Sequence, residues 1–157
     1  NRGTNNSFDS ADRKGSGELI FKSARIFTDY NKKNTTIYSR ENLFIELFLE
    51  PQKKILPNNV RIDLRIDSSV GNRLIWMSTD RIENWKLQNN KVIFKIEDLP
   101  LNQGTYFVML HCRVNNDVSD WIQNAFSFEV NNFETDKAGK IIDPRQANFL
   151  VNYSIQN

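Results

Sequence analysis

Cysteine and histidine are almost absent from this chain of 157 residues, which has one of each, Cys112 and His111. A lone cysteine cannot close an internal disulfide, and a lone histidine cannot build a histidine-rich metal site. The two residues are adjacent, so on one β-strand they point to opposite faces and cannot act together as a Cys–His pair. We therefore expect a buried, neutral Cys112, no metal site and no cofactor.

Long apolar runs and a strong charge of one sign are also missing. No run approaches the 18 residues of a transmembrane helix. The formal net charge is only +2 and the isoelectric point is about 8.7. A dedicated nucleic-acid binder usually has a stronger and more clustered excess of basic residues. We therefore expect no nucleic-acid partner.

Catalytic motifs are equally scarce. The chain has no GxSxG, no HExxH, no dinucleotide fingerprint and no phosphate-binding GxxxxGK[ST] loop. Asp63 and Asp67, with Glu46 and Glu50, could supply paired carboxylates for glycoside hydrolysis. Each of them alternates with bulky apolar residues, however, which is the pattern of a solvated strand face. A glycan-modifying enzyme therefore remains a minor alternative to a non-catalytic domain.

Alternation of apolar and polar residues dominates what is present. Seven stretches show it, and residues that favour turns separate them. They are 18–27, 41–50, 58–67, 73–78, 90–98, 105–114 and 121–130. Short strands at this spacing predict an all-β fold, an immunoglobulin-like antiparallel β-sandwich. Tyr106 follows a turn ending in Gly104 and is a candidate for the tyrosine corner of such sandwiches, with an ordinary buried tyrosine as the alternative.

The two ends of the chain differ from this pattern. Residues 1–17 are polar and are expected to be a linker or a disordered tail, before a sandwich over 18–130. Residues 131–157 are expected to form an extension with an additional strand, because 148–157 alternates again. A seven-strand sandwich is complete without this strand. We expect it to pair with an edge of its own sheet or with a second subunit in a homodimer.

The strand 105–114 supplies the candidate binding surface. Its core set runs from Tyr106 to Val114, and the opposite set mixes apolar and polar side chains. In the predicted sandwich, 58–67, 73–78, 105–114 and 121–130 lie in one sheet, and that set shares its outer face with alternate residues of 58–67. Such a face suits sugars, which have apolar C–H faces and many hydroxyl groups. The candidate carbohydrate-binding residues are Arg61, Asp63, Arg65, Phe107, Met109, His111, Arg113 and Trp121.

An alternative for this surface stays open. The C-terminal segment or a dimer partner could cover Phe107 and Met109, so that the face would be structural. Trp76 is interpreted as a core or edge residue. Trp85 and Trp121 are placed near strand ends, where the loops of a sandwich bind ligands.

Three segments resemble a known family. They are Gly15–Phe27, the turn from Leu99 to Tyr106, and Asn124–Val130. Together they are similar to the Wzt-type C-terminal domain, which follows the ATPase portion of ABC transporters that export O-antigen polysaccharide. The similarity spans about 15–130 and departs at Ile75–Thr79, where a smaller segment of Gly-Thr type is expected.

The resemblance implies a non-catalytic domain that binds the exported glycan, often through its modified non-reducing end. It also implies a homodimer, a linker over 1–17 from an ATPase domain, and contact with the transporter membrane subunit through that domain. The location implied is cytoplasmic, at the inner face of the bacterial inner membrane. The glycan-contacting residues vary within the family and are not transferred. A dimerisation or adaptor domain without glycan binding is the main alternative.

Overall fold

The computed structural model of the chain describes residues 4–29, 36–132 and 142–157, and these residues form two packed β-sheets. Two short 3-10 helices, Pro57–Asn59 and Thr79–Arg81, flank β5 and β6. The strands are β1 Thr4–Ser7, β2 Leu19–Thr28, β3 Ile37–Tyr38, β4 Leu43–Pro51, β5 Val60–Ser68, β6 Arg73–Ser78, β7 Lys91–Ile96, β8 Gly104–Val114 and β9 Asp117–Asn131.

The strand order confirms the predicted all-β, immunoglobulin-like antiparallel sandwich. One sheet has the order β1-β2-β4-β7, and the other has the order β3-β9-β8-β5-β6. All pairs are antiparallel except the two-residue parallel contact between β3 and β9. The predicted grouping of 58–67, 73–78, 105–114 and 121–130 in one sheet is therefore correct.

The core forms where the inward residues of the two sheets meet. In β4 and β5, the alternate apolar residues predicted to face inward are all buried. They are Leu43, Ile45, Leu47, Leu49, Val60, Ile62, Leu64 and Ile66. Cys112 is fully buried on β8, and this burial raises the pKa of its thiol to about 12. The thiol is therefore neutral and unreactive at neutral pH, as expected.

A tyrosine corner closes the start of β8. The Tyr106 hydroxyl donates to the Asn102 carbonyl oxygen at 2.6 Å, four residues upstream. Asn102 is itself fully buried, and its side-chain oxygen accepts from the Asn132 amide at 3.0 Å. Burial raises the pKa of Tyr106, which keeps the hydroxyl protonated as a donor. The predicted corner is confirmed, and it fixes the register in which β8 begins.

The N-terminal segment is part of the sandwich, contrary to the expected linker or disordered tail. Residues 4–7 form β1 on the edge of β2, and the side chain of Phe8 is buried. Lys14 and Trp121 exchange two backbone hydrogen bonds, at 2.8 and 3.0 Å. Polar composition misled the sequence interpretation, because these residues are held mainly by backbone bonds that have no hydropathy pattern.

The C-terminal segment does not form the expected strand within one chain. Leu101 and Phe149 make an isolated bridge, and the Leu150 amide donates to the Pro100 carbonyl. Residues 151–157 are exposed and lack regular structure. Part of the expected extension, 133–141, lies outside the described residues. Pairing of the tail with another subunit therefore stays a prediction.

Candidate functional site

The candidate site is the outer face, which we define as the outward-pointing side chains of β5, β6, β8 and β9. Residues opposite each other on paired antiparallel strands share a face, so the register assigns its members. A first row, the His111 row, crosses the sheet through Ser78, Asp63, His111 and Trp121. A second row, the Met109 row, lies two residues further along the strands and contains Trp76, Arg65 and Met109.

Two arginine–carboxylate forks form the centre of this face. Arg61 donates from Nε and Nη2 to the two carboxylate oxygens of Asp63, at 3.0 and 3.1 Å. Arg65 binds Asp67 in the same way, at 2.8 and 3.0 Å. Partners two residues apart on a strand point to the same face, which is why both forks form locally. Bidentate geometry fixes the planes of both guanidinium groups and neutralises their charge.

Asp63 connects the side chains of the His111 row. Its buried carboxylate accepts from the Ser78 hydroxyl and from Arg61, and the Nδ1 atom of His111 lies 3.7 Å from it. Burial lowers the pKa of His111, with a smaller lowering from Arg113 and Arg61 and an opposing effect from Asp63. His111 is therefore an uncharged imidazole at neutral pH.

Trp121 ends the His111 row beside a shallow hollow of about 250 Å³. His111 meets its ring edge-on at a centroid distance of 5.8 Å. The hollow is lined by Asp12, Lys14, Trp121, Gln123 and Asn124. A bulge in β9 helps to form it, because 123–125 oppose Met109 alone. The Nζ atom of Lys14 lies 5.9 Å from the indole centroid, within cation–π range.

The N-terminal wall of this hollow, which we define as residues 12–15, is held in place by Gly15. Its φ is +125°, and a Cβ at this position would lie 2.4 Å from the Ser119 carbonyl oxygen. The chain can therefore pass this close to β9 only with glycine. Behind the wall, Arg13 donates to the buried carboxylate of Asp120 at 3.0 Å and also to the carbonyl oxygen of Phe8. These contacts place Lys14 beside Trp121.

The remaining predicted site residues differ in exposure. Phe107 is half-buried at the end of the face next to Asp67, and Arg113 donates to the Asn116 carbonyl at 3.3 Å. Met109 is only 7% exposed, so it offers a ligand little surface. The described tail residues are bonded at the turn before β8, where the Leu150 amide donates to the Pro100 carbonyl and the Asn102 amide donates to the Asn148 carbonyl, and the apolar side chains beyond Leu150 are mostly exposed.

Two groups of residues at this face were missed by the sequence interpretation. Of the two interpretations of Trp76, core or edge, the edge one is correct, because Trp76 lies on the edge strand β6, on the outer face opposite Arg65, and is 50% exposed; it was not included among the candidate site residues. The face of the sheet on which Trp76 lies could have been found only from the pairing of 73–78 with 58–67. Asp12 and Lys14 were missed because the segment that carries them was interpreted as a linker.

The structure separates the carboxylates considered for catalysis. Glu46 and Glu50 lie on β4 in the other sheet, whereas Asp63 and Asp67 are each held in an arginine fork on β5. No group of three or more His, Cys, Asp or Glu residues in the described part of the chain could hold a metal ion. Within the same residues, no helix has the length and apolar content of a membrane span.

Comparison with known proteins adds a family to this geometry. A family model described as the Wzt C-terminal domain matches residues 10–142. No curated protein sequence matches the chain. The chain is similar in structure to a solved chain described as the crystal structure of the C-terminal domain of Wzt, with a TM-score of 0.72 and 12% identity. That similarity covers 95% of this chain and 89% of the solved one.

Proposed function

Because the chain belongs to the Wzt C-terminal domain family, we propose that it is a non-catalytic carbohydrate-binding domain of an ABC transporter. In this proposal it recognises an O-antigen polysaccharide, through the non-reducing end, for export. It works as a homodimer and reaches the transporter membrane subunit through an ATPase domain. Its location would be the cytoplasmic side of the bacterial inner membrane.

The outer face is the observation that carries this proposal. It combines the half-exposed indole of Trp76 and the partly buried indole of Trp121 with fixed hydrogen-bonding groups between them. A sugar ring can stack its C–H face on an indole while its hydroxyls meet charged donors and acceptors. The forks preorganise those groups, so that few rotamers are lost on binding.

A nuclear magnetic resonance titration tests the proposal. The amide signals of the domain would be followed while O-antigen polysaccharide purified from the source bacterium is added. We expect saturable shifts confined to β5, β6, β8, β9 and the adjoining residues 12–15, with an affinity on the order of micromolar to millimolar, about −4 to −8 kcal/mol. Shifts scattered over both sheets, or no saturable shifts, would contradict a site on this face.

One pair of variants makes the test specific. Arg65→Ala removes the guanidinium of the central fork and should weaken binding by about 2 kcal/mol. Arg25→Ala is the matched control, because Arg25 makes a comparable ion pair with Glu46, at 2.9 Å, on the opposite sheet. The control should keep the affinity of the unmodified domain. Equal losses in the two variants would indicate a general effect on the fold.

A dimerisation or adaptor domain without glycan binding is the second candidate, and the tail favours it. Val151, Tyr153 and Ile155 alternate and are 69%, 75% and 82% exposed, which is unusual for three apolar side chains in one short segment. Pairing with an edge strand of a second copy would bury them. Both candidates share this dimer, and only the titration above separates them.

Deletion of 145–157 tests the dimer by light scattering. We expect the deletion variant to be monomeric or aggregated, and the intact domain to be dimeric. Val151→Asp is a milder variant that keeps the segment, and it should weaken the dimer without removing backbone. A deletion variant that stays dimeric would show that the subunits associate through another surface.

A further inference from the structure

We infer that the glycan site takes an uncharged, linear oligosaccharide of several sugar residues, which lies across the sheet with Trp76 and Trp121 at its two ends. This inference rests on the proposed function and specifies the class of ligand. Three observations carry it: the separation of the two indoles, the pairing of charges between them, and the exposure of Trp76.

The separation follows from the register. Trp76 on β6 and Trp121 on β9 have β5 and β8 between them, which gives three strand spacings of about 4.8 Å, or about 14 Å across the sheet. The two residues also lie in neighbouring rows, offset by about 7 Å along the strands. The total is about 16 Å. A single sugar ring stacks in van der Waals contact with one aromatic ring, at about 3.5–4.0 Å between carbon atoms, and cannot reach both indoles.

The charges between the two indoles are paired. Each of the forks, Arg61–Asp63 and Arg65–Asp67, joins one cation to one anion at hydrogen-bond distance. His111 adds an uncharged ring, and at the Trp121 end Lys14 shares the hollow with Asp12. An acidic sugar placed here would bring its carboxylate beside Asp63 or Asp67 and would have to compete with it for arginine. Neutral hydroxyl groups can instead accept from arginine and donate to carboxylate at once.

The exposure of Trp76 indicates that the site extends to the edge of the sheet. The indole is 50% exposed on an edge strand, although the neighbouring Ile75 and Met77 pack towards the core. Tryptophan offers a large apolar surface with few rotatable bonds, so an exposed one is well suited to stacking. Beside the guanidinium of Arg65, it repeats the combination of ring and hydrogen-bond donor found at the Trp121 end. The two ends would therefore hold separate sugar residues of one chain.

Chain length and charge are the measurable consequences. Fragments of the source bacterium's O-antigen, separated into fractions from monosaccharide to hexasaccharide, would be titrated by calorimetry at low and at high salt. We expect the affinity to rise at least about tenfold between the monosaccharide and the longer fractions. It should then stay constant with further length and change little with salt, because no net charge is neutralised.

Variants identify the two ends. Trp76→Ala and Trp121→Ala should each remove most of the gain from chain length and leave weak binding of short fragments, and Trp76→Phe should restore part of it. Ile93→Ala is the matched control, because Ile93 is a comparably exposed apolar residue on the edge strand of the other sheet. It should leave the affinity unchanged.

Different failures have different meanings. Affinity that is already maximal with the monosaccharide, or that falls steeply with salt, would overturn this inference and leave glycan binding intact. Unchanged affinity in Trp76→Ala would also overturn it. If no fragment and no intact polysaccharide shifts the outer face, the proposed function fails together with the inference.

Discussion

Replacement of Arg13 by glutamine should destabilise the domain by an amount that depends on pH. Arg13 donates to the carbonyl oxygens of Phe8 and Phe21 and to the carboxylate of Asp120, whose side chain is 1% exposed. Loss of one partner of a buried ion pair typically costs about 3–5 kcal/mol. Because Arg13 is 23% exposed and Asp120 keeps the Phe21 amide at 2.8 Å, we expect the lower end, about 3 kcal/mol.

The pH dependence follows from the pKa of Asp120. Burial raises this pKa above 3.8, while the Phe21 amide and Arg13 oppose the rise. A carboxyl group with a raised folded-state pKa binds its proton more readily when folded, so it costs stability as pH rises through the window above 3.8. Without Arg13 the pKa rises further and that cost grows. The variant should therefore be weakest near neutral pH and approach the unmodified protein as pH falls towards about 4.

Thermal and urea unfolding at neutral and mildly acidic pH would measure both effects. At this chain length, about 3 kcal/mol corresponds to a fall in melting temperature of about 6–12 °C. Combining Arg13→Gln with Asp120→Asn should recover part of the loss, since no buried charge remains. Lys22→Gln is the control, because its ion pair with Asp9 is exposed, and it should leave the melting temperature unchanged. A loss of equal size at both pH values would refute the electrostatic explanation and assign the effect to the two carbonyl contacts.

Four further outcomes are expected. Gly15→Ala should lower stability by about 1–3 kcal/mol from its φ alone, and by more from the clash with Ser119, in urea unfolding. Leu110→Ala should cost about 2–5 kcal/mol, whereas Phe107→Ala should mainly weaken glycan binding; a fall in melting temperature alone would assign Phe107 a structural role. Because the pKa of His111 is lowered, stability should decline as pH falls below about 6.5, and His111→Gln should flatten that decline. Calorimetry with millimolar ATP should detect no binding, given the missing phosphate-loop pattern.

The faces of β5 and β8 could be predicted from the sequence because, in each strand, one alternating set is almost entirely apolar and the other contains charged or polar side chains. In β5, a shift of one residue would bury Arg61 and Arg65 and expose Ile62 and Leu64. Burying unpaired charge costs far more than any local preference of the chain, so only one register is stable. Hydropathy alone is therefore enough to place the candidate site residues of β5 and β8 on the same face of the sheet.

The face of β6 could not be predicted in this way. One alternating set of the strand contains Leu74 and Trp76, the other contains Ile75 and Met77, and both are mainly apolar. Hydropathy therefore gives no preference. The choice is made by a bulge in the pairing with β5 between Ile66 and Asp67. Such a shift in pairing depends on the partner strand, so it cannot be predicted from the residues of 73–78 alone.

The N-terminal wall of the site was missed for a different physical reason. Its contacts join residues far apart in the chain, such as Arg13 with Asp120 and Lys14 with Trp121. Backbone bonds and a single buried ion pair hold it, and neither produces a periodic signal. Polar composition alone then resembles that of a linker. The glycine at position 15 was the one local clue, since only glycine tolerates this approach to β9.

The N-terminal wall contributes both to the stability of the fold and to the side chains that line the site. The pair of Arg13 and Asp120 anchors the segment on the core side, and Lys14, the next residue, faces the hollow beside Trp121. Adjacent residues on an extended segment point in opposite directions, so Arg13 points towards the core and Lys14 points towards the surface. Substitution of Lys14 should therefore change binding at the Trp121 end without lowering stability, whereas substitution of Arg13 should lower both. Because the central forks are built entirely within β5, they should survive either change, and residual binding at the Trp76 end of the outer face is expected to persist when the wall is lost.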